Sequence, residues 1–229
     1  MSWTLFFWMM TSCISQTESK GIDEIIKYFG GKVVYSIGTR NSSDKNELQG
    51  SFFELKLSGI DLKSHFKTLD LPASNCAYLF YHSLGEKEKE KYVYLKVIIE
   101  EDKELTKYEF PVKKLKVVEN EMRVLNESIK CLKSLNMKKL ASLCQPLLLK
   151  NGELIKFKQQ MIQVDSTYGT LKRFSFQGFK FSNEDDGEKI IEVLRLSGAL
   201  ILEKENLDFS ITVNTESKKN NLFGIRFQK

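Results

Sequence analysis

The side chains that most often carry out chemistry are few in this sequence and seldom spaced to act together. Both histidines, His65 and His82, fall in the first half, and spacing alone joins neither to a serine, cysteine or aspartate as a nucleophile and base. His82 follows Tyr81 at the end of a predicted helix and reads as a structural or surface residue. In the second half Asp165 and Tyr168 stand three apart on another predicted helix, a spacing that shares one face. Both could point toward a cavity, and an acid or base there would need a pKa shifted by burial beside a partner. On an ordinary amphipathic helix Tyr168 packs and Asp165 meets solvent. The run Asn183-Glu184-Asp185-Asp186-Gly187 is acidic but lacks the spaced ligands and closing glutamate of a calcium loop, so it reads as a turn. With no phosphate-cradling glycine loop and no metal-ligand cluster, the sequence assigns no catalytic residue, metal or cofactor.

Four cysteines remain: Cys13, Cys76, Cys131 and Cys144. None has C-x-x-C spacing, which leaves zinc binding and dithiol redox chemistry without support. Cys131 and Cys144 fall on consecutive predicted helices, close enough in order to face each other, but buried free thiols fit all three downstream cysteines. Cys13 differs. It follows the apolar run Trp3–Met10 and the small residues Thr11-Ser12. That run is too short to span a bilayer, which takes about 20 apolar residues, and has the length of a signal h-region. The segment resembles a bacterial lipoprotein signal. The resemblance implies export to the bacterial cell envelope, periplasm or outer membrane, with acyl chains on Cys13 and the membrane as partner. Residues 14–21, rich in Ser, Thr, Gln and Lys, read as the tether.

The net charge of +5 comes from 35 basic and 30 acidic residues with the signs interleaved, as in Glu86-Lys87-Glu88-Lys89-Glu90-Lys91. A nucleic-acid surface clusters its cations on one face; the dense patch Lys113, Lys114, Lys116 is short. The charge pattern fits a solvated surface and no nucleic-acid partner.

The elements that position these residues fall into two sets. Ile22, Ile25, Ile26 and Phe29 recur at helical spacing before Gly30-Gly31, and residues 32–37 read as a strand. After a polar loop, Phe53, Leu55 and Leu57 alternate as a half-buried strand. Residues 72–84 read as a helix, and 92–99 and 107–112 as two strands across an acidic turn. This order predicts helices layered on an antiparallel sheet over residues 21–112.

From 113 to 229 three helices come first. Val118, Met122, Leu125, Ile129 and Leu132 form one stripe. Asn136 caps a second helix that Pro146 closes. Asn151 caps a third, bearing Leu154, Phe157, Met161, Val164 and Tyr168, which Gly169 ends. Four strands follow. In the first, Phe174 and Phe176 have one parity and Phe179 and Phe181 the other, so one extra residue near Gln177-Gly178, a β-bulge, would return all four rings to one side. This order, the Lys172–Phe179 bulge and the closing Gly224-Ile225-Arg226-Phe227 strand resemble the nuclear-transport-factor-two-like superfamily. The resemblance implies an α+β cone, a bent four-stranded antiparallel sheet around three helices, with a pocket at its wide end. Phe157, Met161, Asp165, Tyr168, Phe174 and Phe176 are the candidate lining. Sixteen phenylalanines suit either an apolar ligand cavity or, more commonly for aromatics alternating on a sheet, a core.

The expectation is thus an export segment and tether over 1–20, a small α+β domain over 21–112 and a cone-like domain over 113–229. The chain would act as a binding module for an apolar small molecule or a protein partner. An enzyme using the cone, isomerase- or hydrolase-like, and a scaffold subunit of an envelope assembly are the alternatives.

Overall fold

The computed structural model describes residues 14–45, 47–149, 153–187, 189–217 and 219–228; Cys13 and the apolar run before it lie outside them. Helices and two four-stranded sheets make the protein α+β.

Helix α1 (Gln16–Phe29) starts at Ser15, whose hydroxyl accepts from the Glu18 amide while the Glu18 carboxylate accepts from the Ser15 amide. This reciprocal cap satisfies two otherwise orphaned donors. It also corrects the tether: most of residues 14–21 are the first turns of a packed helix, with Glu18 only 2% exposed and Gly21 against the Phe80 ring. The cue is the Ser15-x-x-Glu18 spacing, hidden in a polar stretch.

Strands β1 (Lys32–Arg40), β2 (Gly50–Ser58), β3 (Tyr94–Glu101) and β4 (Glu104–Pro111) form the first sheet in chain order. The expected antiparallel sheet is corrected to a mixed one, because β2 and β3 run parallel. Parallel neighbours need a crossover, which the segment between them supplies through α2 (Asp70–Ser83) and α3 (Glu86–Lys89). Phe53, Leu55 and Leu57 of β2 point into the core.

Helix α4 (Val112–Lys133) opens the second half and packs across three strands of the second sheet. Asn136 caps α5 (Met137–Ala141) by accepting from the Lys139 amide. Pro146 begins α6 (Pro146–Leu149) instead of only ending its predecessor, a first-turn position where its missing N–H costs nothing. The expected cap Asn151 lies outside the described residues. Helix α7 (Glu153–Tyr168) ends where Gly169, at φ 82°, donates to the Asp165 carbonyl at 2.9 Å.

Strands β5 (Leu171–Asp185), β6 (Ile190–Leu202), β7 (Asn206–Asn214) and β8 (Leu222–Gln228) form an antiparallel meander. The β5 register shifts between Phe176 and Gly178, so Phe174, Phe176, Phe179 and Phe181 lie opposite Leu200, Gly198, Leu196 and Leu194. All four rings therefore share the face that carries Leu207, Phe209, Ile211 and Val213 on β7.

A bulge leaves ladder groups unpaired, and here the first half takes them. The Phe176 carbonyl accepts from Tyr28 Oη at 2.5 Å and Asn75 Nδ2 at 3.1 Å, while the Phe179 amide donates to Ser74 Oγ at 2.8 Å. Gly178 is where α2 touches the sheet: a Cβ there would stand 2.2 Å from the Leu71 carbonyl oxygen. One hydrophobic cluster runs through both halves, from Phe53 and Phe80 to Phe209 and Leu222.

Candidate functional site

Helix α7 lies beside β8, the last strand of the meander, and the space between them is a groove. Its main part is a cleft of about 500 Å³. Phe157 and Val164 of α7 and Ile225 and Phe227 of β8 give it an apolar floor, and Gln160, Gln163, Thr167 and Tyr168 give it a polar rim. The helix is anchored by Phe157, which stacks on Phe227 with ring centroids 4.9 Å apart. A smaller cavity of about 150 Å³, bounded by Leu148, Leu154 and Lys156, shares Phe157, Gln160 and Ile225 with the cleft and lengthens it. Among the described residues, the charged residues lining the two cavities are Lys156 and Arg226, both basic; Arg226 alternates with Ile225 and Phe227 and turns its side chain to the outer face of the sheet.

The edge of β8 that borders this groove is used once by the chain itself. The Leu222 amide donates to the Leu143 carbonyl and the Leu222 carbonyl accepts from the Gln145 amide, at 3.0 and 2.9 Å. This is a one-residue parallel bridge to Cys144. Beyond it, from Phe223 to Gln228, β7 is the only paired strand among the described residues. The opposite edge of the sheet, β5, is covered by α2.

The six residues proposed from sequence do not share one cavity. Phe157 and Tyr168 line the groove. Met161 and Asp165 line a neighbouring recess of about 260 Å³ between α4 and α7, with Leu132, Lys133 and Leu202, which shares Val164 with the groove. Phe174 packs edge-on against Phe209 and Phe176 against Tyr78, so both rings serve packing. Sequence reasoning missed Gln160, Gln163, Ile225 and Arg226. The β8 alternation was visible, but its position at an open sheet edge is a property of topology.

Other clusters have structural roles. Glu119 accepts from Lys89 and meets His82 Nδ1, each at 2.9 Å. Burial would raise the Glu119 carboxyl, but these two partners outweigh it and hold the group below its ordinary range. Tyr78 stacks on His82, and burial pushes its phenol up to about 12. His65 is exposed. The acidic run closes on its own backbone, Asp185 accepting from the Gly187 amide and Asp186 from the Lys189 amide. Cys76, Cys131 and Cys144 are free and buried, and burial raises the Cys144 thiol to about 11. On the outer face of the second sheet a recess of about 170 Å³ mixes Arg195 and Arg226 with Asp208, Ser197 and Ser210. It is smaller than the groove and its charges are of both signs. Among the described residues, no group of three or more His, Cys, Asp or Glu side chains could hold a metal ion, and no helix is long and apolar enough to cross a membrane.

Set against family models, curated proteins and solved structures, the chain matches none of them.

Proposed function

We propose that the protein is a binding module that takes a ligand or partner in the groove between α7 and β8. One observation carries this reading: the groove joins an apolar floor to a rim of amides and hydroxyls, and the charged residues along it among the described residues, Lys156 and the outward-facing Arg226, are both basic. Concave apolar sites with a few orienting polar groups are where ligands bind, and the lining suits an apolar ligand bearing a negative charge. The order of helices α4 to α7 followed by a bulged four-stranded meander supports a relationship to the nuclear-transport-factor-two-like superfamily. The Trp3–Cys13 segment supports export and lipid anchoring at Cys13 in a bacterial envelope.

The groove is tested with 1-anilinonaphthalene-8-sulfonate, an apolar fluorophore with a single anionic group. The full chain should bind it saturably, and Val164→Asp, which sets a carboxylate on the half-buried wall, should weaken binding by about tenfold or more. Equal affinity in the variant, with an unchanged unfolding midpoint, would sink the groove as the site.

A further inference from the structure

We infer that the occupant of this groove is an extended peptide segment bearing carboxylates, which adds to β8 as a fifth strand of the second sheet. The inference rests on the groove being the binding site and names what fills it.

Backbone comes first. Edge strands with open N–H and C=O groups are templates for another chain, and proteins blunt them with proline, inward charges, bulges or covering elements. The meander's other edge is covered by α2. From Phe223 to Gln228 the edge carries one charged side chain, Arg226, and no proline. The protein shows that this edge accepts a strand, since residues 143–145 already bridge to Leu222. That bridge fixes where the addition stops, leaving residues 223–228, about 20 Å of strand at about 3.3 Å per residue.

Side chains then select the occupant. An added strand projects alternate residues to opposite faces. One set would enter the apolar floor beside Phe157, Val164 and Ile225, and strand addition draws its specificity from such pockets. The other set would run along the outer face beside Arg226, which alternates with Ile225 and Phe227, and Lys156 lines the smaller cavity, so carboxylates on the segment are complementary to them. The same charges disfavour a second copy of this chain, whose β8 would bring its own Arg226 to the cationic edge.

The experiment uses the full chain and a phage-displayed library of random dodecapeptides. Selected peptides should alternate β-branched or aromatic residues with Asp or Glu. Their binding should slow amide hydrogen exchange at residues 223–228 by about tenfold or more. Gln160→Glu with Arg226→Glu, both at exposed positions, should weaken that binding by about tenfold or more. Peptides that bind while the β8 amides exchange unchanged would overturn strand addition and leave the groove reading intact. So would a library that yields no binders to a protein that still takes the anilinonaphthalene probe in a Val164-dependent way. Selected peptides rich in Lys and Arg would overturn the charge argument. Protection of 223–228 that rises with protein concentration alone, with a dimer in sedimentation, would make the second copy the occupant. If neither peptide nor probe binds, the groove reading falls with the inference.

Discussion

Glu18 shows how a single carboxylate can hold the start of this fold. Its side chain accepts from Tyr92 Oη at 2.6 Å and from the Ser15 amide at 2.7 Å, tying the first turn of α1 to the residues that lead into β3. Burial alone would raise this carboxyl, and the bonds from Tyr92 and Ser15 outweigh it, holding it below its ordinary value of 4.5. A carboxylate with a depressed folded pKa contributes stability above its unfolded pKa and loses it as pH falls through the folded value. The thermal midpoint should therefore drop as pH falls below about 4.5, and Glu18→Gln should flatten that part of the curve while lowering the midpoint at neutral pH. Parallel curves for the two proteins would show that other carboxylates set the acid limb. The cap follows from the Ser15-x-x-Glu18 spacing; the Tyr92 partner, 74 residues away, has no local signal.

At the scale of elements, the bulged strand β5 decides how the two halves meet. Gly178→Ala would place a methyl group against the Leu71 carbonyl, where backbone must move, and should cost about 2–3 kcal/mol in urea unfolding. Gly224→Ala on β8, whose new methyl would meet Thr212 at an ordinary 3.5 Å, should stay within about 0.5 kcal/mol. Similar losses at both sites would deny Gly178 its role as a contact point. The bulge was legible because parity changes between Phe176 and Phe179 and only one extra residue reconciles the rings. Helices α4 and α7 were legible from their stripes. The parallel pairing of β2 with β3 was not, since alternation reports which face a residue takes and is silent on the direction of the neighbouring strand. The groove was half legible for a related reason. Phe157 and Tyr168 belong to a readable helix face, whereas Ile225 and Arg226 matter because β8 is the last strand of its sheet.

The whole molecule joins two expectations that the sequence presented separately, an address and a fold. With α1 beginning at Gln16, an acyl group on Cys13 would leave little slack between bilayer and folded body, so an anchored protein would sit against the membrane surface. Cys13→Ser should abolish labelling by a clickable fatty acid and move the protein from the membrane to the soluble fraction; unchanged fractionation and labelling would refute the anchor. The joint between the halves has a further consequence, which concerns time. Asn75 finds its partner carbonyl 101 residues later, at Phe176. At about 5–20 residues per second of synthesis, the seat for α2 is some 5–20 s behind it. Through that interval the nascent first half presents an unfilled docking face, and whatever shields it before β5 emerges governs how much of the chain reaches its native form.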